Sequence, residues 1–112
     1  MKKIEAIVRP ESVDAVRNAL EHEGVTGLMI SEIEGHGKQK GVVQQWRGER
    51  YKVELLPKAK IEIIAKDKDV ERISNAIIES ARTGEIGDGK IFIYPVDEAI
   101  RIRTAEKGES VL

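Results

Sequence analysis

The segment TGEIGDGKIF carries the residues of this chain that are best suited to hold a phosphate. Gly84, Gly89 and Lys90 match the spacing G-x-x-x-x-G-K of a phosphate loop, but Ile91 stands where that loop needs Ser or Thr for Mg²⁺. The segment also leads from a predicted helix into a predicted strand, whereas the usual loop leads from a strand into a helix. Glycines at 84, 87 and 89 still let backbone N–H groups turn towards an anion, and Lys90 adds a positive charge. The alternative, a helix end followed by a tight turn, explains Gly84 but not the lysine.

Two further basic groups could contribute to the same chemistry. Arg101 and Arg103 in IRIRT would project to one side at strand spacing, which suits bidentate recognition of phosphate, although a solvated edge is the alternative. Lys38, Lys40 and Lys58 surround the base of a long polar loop. Because the whole chain has a formal net charge of −1, these clusters indicate a small polyanionic ligand more than a nucleic acid.

Other kinds of chemistry are excluded or unsupported. The chain has no cysteine, so disulfide scaffolds, zinc ribbons, redox CxxC sites and cysteine nucleophiles are excluded. His22 and His36 lack a partner at i+4 and are interpreted as structural or surface residues, and no Ser, His and Asp set stands out by position. The chemistry must therefore come from oxygen and nitrogen groups, and no redox cofactor is expected.

Composition and hydrophobic periodicity predict one folded α+β domain, 1–112. Hydrophobic residues make up 40% and charged residues 35%, and the apolar runs are too short for a signal peptide or membrane span, so a cytoplasmic protein is expected. Period-two and helical spacings alternate in the order β-α-β-β-α-β, which predicts a ferredoxin-like sandwich with both helices on one face of a four-stranded antiparallel sheet. The predicted strands are 2–8, 26–33, 52–65 and 90–96, and the predicted helices are 11–23, begun with help from Ser12, and one from Asp67 or Asp69 to about Gly84.

The predicted sheet has apolar residues on both faces, although the helices can cover only one. In the last strand Ile91 and Ile93 alternate with Phe92 and Tyr94. The uncovered face is predicted to be an oligomer interface, with a partly apolar wetted face as the alternative. Pro57 within the third strand predicts a bend or an edge position.

The long loop, GHGKQKGVVQQWRGERY at 35–51, joins predicted strands two and three. Unstructured loops longer than about 12 to 15 residues are usually functional or disordered. Half of this one, extended at about 3.3 Å per residue, would reach roughly 25 Å from the body of the domain.

With these motifs in place, the chain resembles the PII nitrogen-regulatory signal proteins, a family of trimeric ferredoxin-like subunits. The resemblance covers the whole chain, and Thr83–Val96 fits the family's C-terminal signature throughout. In the family's terms 35–51 is the T-loop, 82–90 the B-loop and 101–112 the C-terminal segment. The other matching segments are KKIEAIVRPE, GKQKG, RGERY, LPKAKIEI and IRIRT.

The resemblance implies a homotrimer with an ATP or ADP site in each of three clefts between subunits. Adenine would lie near Met29, Glu62 and Ile64. Mg²⁺, held by the phosphates and by Gln39, would recruit 2-oxoglutarate, whose far carboxylate would pair with Lys58. The implied phosphate contacts are Gly87, Asp88, Gly89, Lys90, Gly37 and Lys38, with Arg101 and Arg103 from the adjoining subunit, and the implied 2-oxoglutarate contacts are Gln39, Lys40, Gly41 and Lys58.

Through the T-loop the resemblance implies a protein partner, most closely an ammonium transporter, at which this cytoplasmic protein would become peripherally membrane-associated. Regulation of glutamine synthetase or of nitrogen-responsive transcription is the alternative, because all such members use the same loop. Arg47 matches the residue that family members insert into the mouth of the channel. The implied partner contacts are Trp46, Arg47, Gly48 and Tyr51.

Departures from the family pattern limit this transfer. Lys38 stands where Arg is more common and loses the bidentate fork. Tyr51 matches a tyrosine that some members modify by nucleotidyl transfer, but Glu49 and Arg50 change its surroundings and argue against the modification. Glu49 also rules out, as models, those members that are phosphorylated on a serine at position 49.

Two other classes fit less well. A small ferredoxin-like phosphatase would need an Arg and an Asn converging on a phosphate, and the only asparagines, Asn18 and Asn75, fall within the predicted helices. An RNA-binding sheet would need a basic domain and exposed aromatics, for which only Phe92 and Tyr94 qualify. Neither class explains the long loop.

Overall fold

The computed structural model describes the backbone of residues 1–37, 44–46, 49–51 and 54–112, and the side chains of residues 1–36 and 55–112. Within these ranges the chain forms strands, two α-helices and short 3₁₀ turns. The strands are β1 (Lys2–Val8), β2 (Met29–Gly37), β3 (Gln44–Trp46), β4 (Glu49–Tyr51), β5 (Glu54–Ala65) and β6 (Lys90–Pro95). The helices are α1 (Val13–His22) and α2 (Val70–Ala81), and the 3₁₀ turns are Pro10–Ser12, Asp67–Asp69 and Glu109–Val111.

Four of the strands form one antiparallel sheet in the order β2-β5-β1-β6. The residues of β1 and β5 that point to one face pack with the buried stripes of α1 and α2 in a single core, so both helices cover that face. This arrangement confirms the predicted ferredoxin-like fold. The buried core residues are Ile4, Ala6, Val8, Val16, Leu20, Ala59, Ile61, Ile63, Ala65, Ile73, Ile77 and Ala81.

The helices begin and end near the residues that the sequence predicts, but the expected capping hydrogen bonds are not made. Gly24, with φ of 79°, comes just after α1, as its place in the sequence predicts. Ser12 and Asp69 precede the two helices, but neither side chain makes a capping hydrogen bond, so the predicted role of Ser12 at the helix start is not seen. The carboxylate of Asp69 instead pairs with Arg72 at 3.3 Å.

The long loop contains more regular structure than the sequence predicts. The pairing of β2 with β5 continues to Gly37 and Glu54, so β2 runs into the segment expected to be loop, whereas β5 begins within the predicted strand 52–65. Inside that segment β3 and β4 form a separate two-stranded antiparallel sheet. The segment predicted as a long loop thus contains two short strands, whose polar side chains gave no period-two hydrophobic signal.

Pro57 lies at an edge position of β5, one of the two positions that the sequence predicts for it. It is paired with Glu34 of β2, but the pairing of β5 with β1 extends only to Ala59. At Pro57 the strand therefore has a neighbour on one side, which is a local edge position.

The sheet face opposite the helices exposes large apolar side chains in the isolated chain. Met29, Phe92 and Tyr94 are among the exposed residues of this face. Within the described ranges, no helix combines the length and the apolar run that crossing a bilayer requires.

Candidate functional site

The glycine-rich segment forms a turn between α2 and β6. Gly84, Gly87 and Gly89 have φ values of 89°, 101° and 111°. L-residues rarely adopt this backbone region, so the path of the turn depends on all three glycines. The sequence analysis expected these glycines to give the backbone freedom to turn N–H groups towards an anion, and all three have the positive φ that such freedom allows.

Asp88 holds this turn together from inside. Its carboxylate accepts hydrogen bonds from the backbone N–H groups of Thr83 and Gly84, each at 2.9 Å, and from the Thr83 hydroxyl. The hydroxyl of Thr83 is the main reason that the pKa of Asp88 lies below its ordinary value. Asp88 therefore shapes the turn, a role that the sequence did not suggest.

Two basic side chains, one just after β1 and one in β5, form hydrogen bonds to the same turn. Arg9 donates from Nη2 to the carbonyl oxygen of Ile86 at 2.7 Å and lies 3.4 Å from the carboxylate of Asp88. Lys58 donates from Nζ to the carbonyl oxygen of Gly87 at 3.1 Å. Sequence reasoning missed Arg9, although its place directly after β1, in the matching segment KKIEAIVRPE, was the available signal.

A cavity of about 610 Å³, here called the turn cavity, adjoins this arrangement. Arg9, Lys58 and Lys90 supply positive charge to it. Since three cationic side chains line it beside the glycine turn, the turn cavity is suited to a phosphate or carboxylate. Its lining includes the site residues Lys58, Gly87, Gly89 and Lys90, together with Gly35.

A second cavity of about 530 Å³, here called the strand-end cavity, lies at the far end of β2 and β5. It brings together Met29, Glu62 and Ile64, the three residues that the family resemblance assigned to adenine. Glu62 is half-buried and pairs with Lys3 at 2.8 Å, and this hydrogen bond is the main cause of the lowered pKa of its carboxyl group.

Both cavities are lined by residues of β5. Lys58 and Glu62 are four residues apart on the same face of that strand, which corresponds to about 13 Å. Ligands with a phosphate end and an apolar ring system have this kind of length and polarity.

The arginines of the C-terminal segment lie elsewhere in the single chain. Residues 102–104 form a turn, and Ala105 donates from its N–H to the carbonyl oxygen of Arg101 at 2.8 Å. The prediction that Arg101 and Arg103 share one side at strand spacing is therefore wrong, because the backbone reverses between them and Glu106. Arg101 pairs with Glu106 at 3.2 Å, and neither arginine of the described segment lines the turn cavity or the strand-end cavity.

Several predicted residues fall outside the described part of the chain. The backbones of Gly37, Trp46 and Tyr51 lie in β2, β3 and β4, but their side chains are outside the described residues. The remaining ones, wholly outside, are Lys38, Gln39, Lys40, Gly41, Arg47 and Gly48.

The histidines behave as surface residues. His22 and His36 are both exposed. Among the side chains that the structure covers, no three His, Asp or Glu groups are placed to share a metal ion.

The groove between α1 and α2, about 740 Å³, holds an Arg and an Asn, the two residue types that the phosphatase alternative needs. Arg72 and Asn75 both line it. Arg72, however, already donates to the backbone and carboxylate of Glu23, both at 2.7 Å. A guanidinium engaged in this way joins the ends of the two helices and is poorly placed to receive a phosphate.

Comparison with known proteins identifies the family. The family model described as nitrogen regulatory protein P-II matches residues 1–106. The chain is 50% identical over 112 residues to "Nitrogen regulatory protein P-II 2" of Methanothermobacter thermautotrophicus, covering 100% of this chain and 97% of that protein. It is 52% identical over 112 residues to "Nitrogen regulatory protein P-II" of Cereibacter sphaeroides, covering 100% of both chains. A relative of the same name from Nostoc punctiforme is 53% identical over 107 residues, which is 96% of each chain.

The match extends over both cavities, the glycine turn and the segment 35–51, and the relatives are named as regulatory proteins. This chain belongs to the nitrogen regulatory protein P-II family.

Proposed function

We propose that this chain is a nitrogen- and energy-status signal protein that binds ATP or ADP and, with Mg-ATP, 2-oxoglutarate. The observation that carries this proposal is the placement, along β5, of a glycine-lined turn cavity with three cationic side chains and of a strand-end cavity that contains Met29 and Ile64. The arrangement matches a ligand with a polyanionic end and a ring end. Family membership supports the regulatory role.

The turn cavity fits the phosphates. Gly87 and Gly89 give the backbone its open turn, and the exposed Lys90 follows them as a cation that the turn leaves accessible. Asp88 would act by holding the turn in this shape, since its carboxylate is already occupied by Thr83 and Gly84. Gly37 and Lys38 would add contacts from the loop base, and Arg101 and Arg103 would come from the adjoining subunit.

The strand-end cavity fits the base. Met29 is 58% exposed and Ile64 is half-buried, so both have surface to contact an adenine ring. Glu62 lines the same cavity, and the hydrogen bond from Lys3 holds the pKa of its carboxyl group below the ordinary value.

Lys58 fits the far carboxylate of 2-oxoglutarate. Its ammonium group faces the turn cavity beside Gly87 and lies at the base of the long loop, opposite Ile33 in β2. Gln39, Lys40 and Gly41 would complete this site, and the amide oxygen of Gln39 with phosphate oxygens is a donor set that suits Mg²⁺.

We also propose a homotrimer in which the uncovered sheet face is buried. Its charges are paired within the chain: Lys3 contacts Glu62 at 2.8 Å, and Lys60 lies 3.8 Å from Glu5 and 3.7 Å from Glu62. Paired charges lower the cost of removing this face from water, and the neighbouring exposed aromatics favour burial. Measurement of the molar mass by light scattering tests this, and a monomer at micromolar concentration would contradict it.

The signalling output would pass through the T-loop, 35–51, to an ammonium transporter, with Trp46, Arg47, Gly48 and Tyr51 as contacts. ADP, or ATP alone, would permit the blocking loop, whereas Mg-ATP with 2-oxoglutarate would favour a second loop state around Gln39 and release the channel. In this role the protein is a cytoplasmic regulator, not an enzyme, and is peripheral to the membrane when bound. Regulation of glutamine synthetase or of nitrogen-responsive transcription is the alternative.

Calorimetry with ATP, ADP and 2-oxoglutarate, with and without Mg²⁺, tests the ligand assignment. We expect 2-oxoglutarate to bind only with Mg-ATP, and Lys58→Ala and Gln39→Ala to remove that binding. For Lys90→Ala the loss of a charge-assisted contact of about 1.5 to 3 kcal/mol predicts roughly ten- to a hundred-fold weaker ATP binding. Unchanged 2-oxoglutarate binding in the first two variants would show that this site is wrongly assigned.

A further inference from the structure

The C-terminal residues form a closed hairpin. Gly108 donates from its N–H to the carbonyl oxygen of Ala99 at 3.0 Å. The backbone N–H of Arg101 donates to the carbonyl oxygen of Glu106 at 2.9 Å. Ile100 and Lys107 form a bridge between the two arms. The hairpin thus returns the chain to Ala99, a few residues after the end of β6, and so sets the position from which the residues after Gly108 continue.

The turn that follows the hairpin points two apolar residues at the strand-end cavity. Val111 and Leu112 donate from their N–H groups to Gly108 and Glu109 at 3.2 and 3.1 Å, which holds them in a 3₁₀ turn. Both side chains line the cavity that contains Met29 and Ile64. Leu112 is 47% exposed, so about half of its surface is available to a ligand in that cavity.

We propose that Val111 and Leu112 form an apolar wall of the base-binding cavity and contact the purine ring of the nucleotide. This inference rests on the proposed nucleotide site. The faces of a purine are apolar, and Val111 and Leu112 provide matching surface in addition to Met29 and Ile64. The volume of about 530 Å³ is within the range of small-molecule sites, so the wall leaves room for the ring.

The phosphates contribute nothing to this contact, so ligands with and without a base respond differently to its loss. Removing the wall should weaken ATP and ADP equally, because both carry the same base. Binding of tripolyphosphate, which has no base, should not change. A variant that only loosened the fold would weaken all three ligands.

The test is a titration of the double variant V111S/L112S with ATP, ADP and tripolyphosphate by calorimetry. Loss of about half of a leucine side chain's burial, together with part of a valine's, predicts roughly three- to tenfold weaker binding of both nucleotides. The matched control is Ile100→Ser, which removes an apolar side chain that is 56% exposed from the same hairpin but lines neither cavity. The control should bind like the wild type.

The outcomes separate this inference from the proposed function. If the wild type binds ATP and the double variant has an ATP affinity within twofold of the wild type, or higher, the proposed contact of Val111 and Leu112 with the base is wrong. The proposed nucleotide site is then unaffected. A parallel loss of tripolyphosphate binding, or the same loss in Ile100→Ser, also overturns the wall. If the wild type binds neither nucleotide, the proposed function itself fails.

Discussion

Lys58 donates a hydrogen bond from Nζ to the carbonyl oxygen of Gly87, at 3.1 Å, and so joins β5 to the glycine turn. The lysine proposed for 2-oxoglutarate therefore already touches the backbone proposed for phosphate. An ammonium group has three donors, so a carboxylate could be added to this contact or replace it. In either case a ligand at Lys58 and the shape of the turn affect each other.

Lys58→Met is expected to reduce 2-oxoglutarate binding in Mg-ATP at least about tenfold, because a charge-assisted contact is lost. ATP alone should weaken by a smaller factor, since the turn loses one of its two braces. Both affinities are measured by calorimetry. Lys68→Met, which removes a lysine in the groove between the helices, is the control and should change neither. Equal losses for the two ligands would mean that Lys58 acts only through the turn.

Arg9→Met tests the second brace. Arg9 is about one-quarter exposed and donates to Ile86 at 2.7 Å beside Asp88. Without it the turn should be less ordered, and ATP affinity should fall roughly three- to tenfold, which is less than for Lys90→Ala because the lost charge-assisted hydrogen bond is to the turn and not to the ligand. Arg17→Met removes an arginine that pairs only with Asp14 among the described side chains. If Arg17→Met weakened ATP as much as Arg9→Met, the effect could not be assigned to the turn.

Asp88→Asn should make the stability of the protein less dependent on pH in the acid range. The Thr83 hydroxyl is the main reason that the pKa of Asp88 is lowered in the folded chain. The ionised carboxylate therefore stabilises the fold fully above its unfolded pKa of about 3.9, and this contribution is lost as the pH falls through the lower folded pKa. The difference in Tm between wild type and variant, followed by circular dichroism, should be constant from about pH 7 to pH 5 and narrow below about pH 4.

The matched control for this titration is Asp97→Asn, which removes an exposed carboxylate just after β6. Its Tm should follow the wild type across the range. A difference for Asp88→Asn that stayed the same down to pH 3 would show that the ionisation of Asp88 does not stabilise the turn.

The sequence predicted the fold well because its signals are local and repeated. Period-two alternation in β1 and the helical stripe of Val70, Ile73, Ile77 and Ala81 are properties of short segments, and the core has the composition that they imply. Predicted boundaries moved by a few residues, as for β2, which starts at Met29 and not at residue 26.

The site was predicted less completely because its contacts join distant parts of the chain. Arg9 and Ile86 are 77 positions apart, and a single arginine after a strand carries no periodic signal. The same applies to Val111 and Leu112, whose place beside Met29 depends on how the hairpin returns. Arg101 and Arg103 show the opposite problem: their spacing is typical of a strand, but residues 102–104 form a turn.

Gly89→Ala should be the most damaging single change in the turn. A Cβ added at Gly89 would overlap the carbonyl oxygen of Ile7, which belongs to β1 and cannot move without disturbing the sheet. Together with φ of 111°, this predicts destabilisation of about 3 kcal/mol or more and loss of ATP binding.

Gly84→Ala separates backbone strain from steric overlap. The φ of 89° at Gly84 is also unfavourable for alanine, but a Cβ added there would meet no atom within 4 Å. Backbone strain alone predicts about 1 to 2 kcal/mol there, with most of the ATP affinity kept. Thermal unfolding and calorimetry on both variants give the comparison. If the two variants lost stability equally, backbone strain alone would account for the requirement for glycine at 89, and the close approach of Ile7 would not contribute.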